Sequence, residues 1–220
     1  MEQRTEVILV HGLWHQPAHF DRLADELRRQ GVTVHVPLLH RGSLAADSAA
    51  VQEVVDACAD QPVVLGHSYG GSVITGLERV GHLVYLAAFV PAAGESGALL
   101  GGAGALVNHA VQQNDDGTTS IKPEMAGDVL YADCTAAESA WATSLLVRQR
   151  PGHGRGVPEH IAWDSIETTY ILCEEDKALD PGIQKRMARR CGTTVSMASS
   201  HSPFISSPAE LAETVFGIVS

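Results

Sequence analysis

Three side chains far apart in the 220-residue chain, Ser68, Asp176 and His201, are of the types needed for one reaction. A serine hydroxyl is a weak nucleophile at neutral pH. It needs a base to take its proton and a carboxylate behind the base to fix the tautomer. Such a set transfers acyl groups, and in one arrangement it occurs in the chain order Ser, then Asp or Glu, then His. Ser68 lies in GHSYGG, directly after the apolar run PVVLG. Small residues at Gly66 and Gly70 suit a sharp turn where strand and helix pass close together, and such a turn lifts the hydroxyl out of the fold. The stretch after it, SVITGLERV, has helical spacing of Val73, Leu77 and Val80, so the positive end of a helix faces the space above the serine.

The base has to be chosen among 11 histidines, and position decides. His201, in SSHSPF, falls between the last strand-like run and the last helical one, where a loop at the carboxyl end of a sheet would carry it over the serine. His67 points the other way beside the nucleophile, and His82 opens a strand. For the acid, the loop after TTYILCEE offers Glu175, Asp176 and Asp180. Asp176 is the first residue past the strand, whereas Asp180 precedes a proline and reads as a helix cap. Two N–H donors are needed for the developing oxyanion: one from Tyr69, after the nucleophile, and one from Leu13, in the loop His11-Gly12-Leu13-Trp14, where Gly12 lets the backbone bend. Gly12 and Trp14 are therefore expected beside the substrate. The spacing His11, His15, His19 has the look of a metal site, but Gly12 and Pro17 break the helix that would align the three, and no carboxylate accompanies them.

Strand-like and helical segments alternate around these residues. EVILV (Glu6 to Val10) precedes an amphipathic helix carrying Phe20, Leu23, Ala24 and Leu27 on one face and ending at Gly31. VTVHV follows, then a helix from about Asp47 to Ala59 with Asp47 as cap. PVVLG with its elbow helix comes next, then HLVYLAAFV (His82 to Val90), TTYILCEE (Thr168 to Glu175), a helix opened by Asp180-Pro181, TTVSMAS (Thr193 to Ser199), and a last helix with Ser207 and Glu210 as capping box and Pro208 at its first position. This alternation predicts a mostly parallel sheet with helices on both faces, an α/β fold with ligands at the strands' carboxyl ends. Residues 91–166 interrupt it. One helix is expected there, from about Ala136 to Val147 behind the capping box Thr135 and Glu138, and the interval reads as a small helical lid whose Trp141, Leu145 and Leu146 face the substrate.

A chain of this length is read as a single domain, 1–220, with that lid inserted. With 45% hydrophobic and 19% charged residues it is an ordinary globular sequence, and a formal charge of −11 argues against nucleic acid as partner. The N-terminal MEQRTEVILVHG fits neither a signal peptide nor a membrane span, so a cytoplasmic monomer or homodimer without membrane contact is expected. The four cysteines, Cys58, Cys134, Cys173 and Cys191, lie far apart without a C-x-x-C pair, and no metal or other cofactor is expected.

VILVHGLWH, VVLGHSYGG, LVYLAAFVP, EEDKALDP and SSHSPF together resemble the α/β-hydrolase superfamily, in the branch of plant methylesterases, hydroxynitrile lyases and bacterial pyrethroid-hydrolase-like esterases. The resemblance spans nearly the whole chain except the lid. It implies Ser68 as nucleophile, Asp176 as acid, His201 as base and the Leu13 and Tyr69 amides as oxyanion hole. Two departures stand out: PLLHRGSL replaces the D-x-P-G-H-G common after the second strand, and the lid is short. Lyases of this branch have a lysine directly after the catalytic histidine and a hydroxyl side chain where this chain has Gly12. Here Ser202 follows His201. The expected activity is therefore hydrolysis of a small ester or lactone, with a small-molecule receptor and a cyanohydrin lyase as the alternatives.

Overall fold

The computed structural model describes residues 5–39, 42–102 and 105–219. Its strands are β1 (Glu6–Val10), β2 (Thr33–His35), β3 (Val63–His67), β4 (His82–Leu86), β5 (Val111–Gln113), β6 (Thr119–Ile121), β7 (Glu167–Cys173) and β8 (Thr193–Met197). Its helices are α1 (Asp21–Arg29), α2 (Leu44–Ala57), α3 (Tyr69–Ile74), α4 (Gly97–Gly101), α5 (Val107–Ala110), α6 (Pro123–Leu130), α7 (Ala136–Ser144), α8 (Pro181–Ala188), α9 (Pro203–Ser206) and α10 (Pro208–Val219). Six strands form one parallel sheet in the order β2-β1-β3-β4-β7-β8, while β5 and β6 make a separate antiparallel hairpin.

The central strands are near-continuous apolar runs because helices cover both of their faces. Every residue of β3 is buried. On one face, Leu9, Leu65 and Ile171 pack with Leu23 and Leu27 of α1 and Leu211 and Val215 of α10. On the other, Ile8, Val64 and Tyr170 pack with Val51 and Val55 of α2, Val73 of α3 and Met187 of α8. The chain leaves β1 toward β2 and leaves β3 toward β4, so the strand order reverses between β1 and β3, and a crevice opens there at the carboxyl ends.

Two sequence expectations shift for physical reasons. Asp47 does not cap α2: the Ser43 hydroxyl accepts the Ala46 amide at 3.1 Å instead, while Asp47 is fully buried and accepts the Tyr69 hydroxyl at 2.9 Å. The strand expected to reach Val90 stops at Leu86, since Ala87 takes φ 43°, which ends the extended run.

The interval between β4 and β7 holds more structure than one helix. It contains α4, α5, the β5–β6 hairpin, α6 and α7. The hairpin closes through NDDG: Asn114 donates its amide to the Thr118 carbonyl at 2.8 Å, and Gly117 takes φ 78°. Pro123 opens α6 at its first position, and the expected Thr135–Glu138 box opens α7. No helix among the described residues is long and apolar enough to cross a membrane.

Candidate active site

Ser68 stands between β3 and α3 with φ 54° and ψ −117°, a conformation that a residue with a side chain adopts only under constraint and that costs about 1–3 kcal/mol. Both of its peptide groups are held. Its amide donates to the Leu86 carbonyl at 3.1 Å, and its carbonyl accepts the amides of Gly71 at 3.1 Å and Phe89 at 3.2 Å. The glycines are steric requirements: a Cβ on Gly66 would lie 2.6 Å from the Gly70 carbonyl, one on Gly70 would strike the Val10 carbonyl, and one on Gly71 the Phe89 carbonyl.

His201 arrives on the loop after β8 and Asp176 on the loop after β7, and both are buried. Nδ1 of His201 donates to Oδ2 of Asp176 at 2.7 Å. The other carboxylate oxygen, Oδ1, accepts the Ala178 and Leu179 amides at 2.7 and 2.9 Å. Nε2 of His201 is thereby left for the cavity, whose wall His201 shares with Ser68. The neighbouring Asp180 has the separate duty expected of it, accepting the Gly182 amide at 2.8 Å as the cap of α8.

The Leu13 and Tyr69 amides flank the same cavity, and neither has an acceptor among the described residues. Gly12 lies beneath it; a Cβ there would be 3.1 Å from both Ser68 Cβ and His67 Nδ1. Trp14 lines the cavity, and its indole donates to the Thr119 hydroxyl at 3.1 Å. The cavity measures about 390 Å³, and Phe89, α4, Val107 and Leu130 supply much of its wall. No Lys, Arg, Asp or Glu lines it among the described residues.

Trp141 and Leu145 lie outside this wall. The face of α7 that carries Trp141 turns to α1, where the Arg22 guanidinium sits 5.5 Å over the indole, and the Leu145 carbonyl accepts the Gln16 amide group at 2.7 Å. Trp141 and Leu146 pack against the core instead. The glycine-rich α4 takes the place expected of them, because Gly97 and Gly101 allow it to lie against the Phe89 ring.

Histidines other than His201 build the frame. His11 holds the Leu39 amide on Nε2 at 3.2 Å and gives Nδ1–H to the Gly12 carbonyl at 3.0 Å, bracing the loop. His15 donates from Nδ1 to the Leu13 carbonyl at 3.0 Å and accepts the Tyr131 hydroxyl at 3.1 Å. His19 reaches the Ala142 carbonyl at 3.1 Å, tying α7 to the sheet domain. Burial holds the pKa values of His15 and His67 well below the ordinary 6.5, reinforced by His19 at His15 and by His201 at His67, while burial alone dominates at His19. All three are neutral at physiological pH.

Sequence reasoning missed two supports of His201. His67, read as pointing away, donates from Nε2 to the His201 carbonyl at 2.9 Å. Asp133, between α6 and α7, accepts the Ser200 amide and the Ser206 hydroxyl at 2.9 Å each, as well as the Ser200 hydroxyl. Nothing in their spacing signals either contact, since both depend on how loops close.

A sequence model of the alpha/beta hydrolase family matches residues 7–214. The chain belongs to that family. An alpha/beta hydrolase of Aspergillus novofumigatus, nvfD, is 30% identical to it, covering 93% of this chain and 92% of its own. A pyrethroid hydrolase of Sphingobium wenxiniae is 26% identical over 96% of this chain and 86% of its own. Among solved structures, a pyrethroid hydrolase from Sphingobium faniae superposes with a TM-score of 0.83 at 24% identity, covering 99% and 98% of the two chains. Fold and relatives together support a hydrolase of esterase type.

Proposed function

We propose that the protein is a cofactor-free serine hydrolase that cleaves a small, uncharged carboxylic ester or lactone through an acyl-enzyme on Ser68. The observation that carries this reading is the strained serine sharing one cavity with a histidine whose far nitrogen is bound to a buried carboxylate. In this mechanism the Ser68 hydroxyl adds to the ester carbonyl while its proton passes to Nε2 of His201, and Asp176 stabilises the imidazolium. The Leu13 and Tyr69 amides receive the oxyanion. Collapse expels the alcohol, which takes the proton from His201. Water, deprotonated by the same nitrogen, then releases the acid and restores Ser68.

The apolar wall favours a substrate without charge, and 390 Å³ accommodates an ester of modest size. Cyanohydrin cleavage fits less well: Ser202 follows His201, and Gly12 carries no hydroxyl side chain, a Cβ there lying a tight 3.1 Å from Ser68 Cβ. Turnover of short p-nitrophenyl esters with a burst, and labelling of Ser68 by a fluorophosphonate, test the proposal. Binding of an ester without turnover or labelling would instead mark a small-molecule receptor, and rapid cyanide release from mandelonitrile a lyase.

A further inference from the structure

Gln184 lies in α8, outside the cavity wall, and is fully buried. Its amide orientation is fixed by what surrounds it. The Cys173 amide at the end of β7 donates to Oε1 at 3.0 Å, so the opposite nitrogen faces the acid. That nitrogen, Nε2, donates to Oδ2 of Asp176 at 2.8 Å and to the Leu179 carbonyl at 2.8 Å. Oδ2 is the oxygen that also receives Nδ1–H of His201. With Ala178 and Leu179 on Oδ1, the carboxylate has four donors, two on each oxygen.

We propose that Gln184 is the positioning residue of the acid–base pair, occupying one lone pair of Asp176 Oδ2 so that the other is aimed at His201. The proposal rests on the reading of Asp176 and His201 as acid and base. A carboxylate bound only through Oδ1 could swing about its Cβ–Cγ bond and present Oδ2 off the imidazole plane. Gln184 removes that freedom, and because Oε1 is anchored to β7 the restraint comes from the sheet itself. Its side chain lies against the acid and not the substrate, so its loss should lower kcat with little change in KM.

Glutamate at this position gives a readout that packing alone would not move. Protonated, the Glu side chain still donates to Asp176; ionised, it sets a second buried carboxylate against the first. The other titratable groups facing this corner are His201, the Cys173 thiol, pushed up to about 12 mainly by burial, Tyr170, also raised by burial, and Asp133 of the insertion near Cys173. Cys173 and Tyr170 remain protonated between pH 5 and 8, and His201 and Asp133 are common to variant and wild type. A change in the ratio of their rates across that range therefore reports the new carboxyl.

The test measures kcat and KM for p-nitrophenyl butyrate against pH in the wild type, Gln184→Glu, Gln184→Leu and Gln184→Met, with Ser68→Ala as control. Gln184→Leu and Gln184→Met should lose roughly 10- to 100-fold in kcat at every pH, the effect of one hydrogen bond to a charged group, with KM held. The ratio of Gln184→Glu to wild type should be highest at low pH and fall as pH rises. Gln184→Met is flexible enough to refill the space if the leucine variant folds poorly. In the folded variants the low-field proton resonance of His201 Nδ1–H should shift or broaden. Folded variants with wild-type kcat and a flat ratio would overturn the proposal, whereas an active Ser68→Ala would overturn the reading of the site beneath it.

Discussion

The imidazole of His67 gives its Nε2–H to the backbone carbonyl of His201 at 2.9 Å, so the residue before the elbow serine holds the main chain of the residue opposite it. The two rings lie 4.5 Å apart, and the contact joins the end of β3 to the loop after β8. Ser68 and His201 are thereby registered across the two intervening strands, β4 and β7, by one hydrogen bond that involves neither the Ser68 hydroxyl nor Nε2 of His201.

Replacing His67 with alanine should lower kcat by roughly 10-fold through a loosened His201, the loss of one buried hydrogen bond, and should also destabilise the core. Glutamine at this position can still donate to the carbonyl and should recover part of the rate. Steady-state kinetics beside thermal unfolding checks this, and a full rate in a folded His67→Ala protein would contradict it.

Ser68→Ala and His201→Ala should each reduce kcat by roughly 10⁴- to 10⁶-fold while leaving the circular dichroism spectrum unchanged. A mild loss in either would mean that another residue does the chemistry.

Asp176→Asn and Asp180→Asn separate acid from cap. The first should cripple turnover, because His201 loses the acceptor that fixes its tautomer. The second disturbs only the cap of α8, should cost about 1 kcal/mol or less, and should leave kcat close to wild type. Parallel urea melts and rate measurements decide between these roles.

Substrate preference should follow α4 and not α7. Gly101→Val adds bulk where the cavity wall meets Phe89 and should exclude longer acyl or alcohol chains while sparing acetate esters. Trp141→Ala removes the ring under Arg22 and should lower stability without re-ranking substrates. A panel of p-nitrophenyl esters of increasing chain length measures both.

Stability should fall on acidification. His15 and His67 titrate well below 6.5 in the folded protein, while in the unfolded chain they regain that ordinary value. Their contribution is complete above about pH 6.5 and is lost as pH falls below it, because only the unfolded chain takes up their protons; the limiting slope is about 1.4 kcal/mol per pH unit for each. Unfolding temperatures at pH 7.5 and 5.5 should differ, and His15→Gln should reduce the difference.

The sheet was legible because buried parallel strands must be continuous apolar runs, and EVILV, PVVLG and TTYILC are such runs. The placement of Ser68, Asp176 and His201 just past the ends of β3, β7 and β8 was legible because turn chemistry and strand order dictate where they fall. Asp47 misled: an acidic residue near a helix start reads as a cap, and nothing local announces that Tyr69, 22 residues on, supplies its partner. The insertion was least legible. Its short helices are held by tertiary contact and not by periodicity, and Trp141 shows that an apolar helical face does not say which surface it will meet. The NDDG turn and Pro123 were the usable signals there.

Asp133 makes the insertion and the loop of His201 one mechanical part. Three donors from Ser200 and Ser206 converge on its carboxylate, on either side of His201 in the chain. A swing of residues 131–133 away from the sheet would break these bonds and pull on the loop that carries the His201 imidazole. The α6–α7 corner of the insertion is thereby latched to the loop of His201, while at its glycine-rich end, around α4, Leu99 and Leu106 meet solvent.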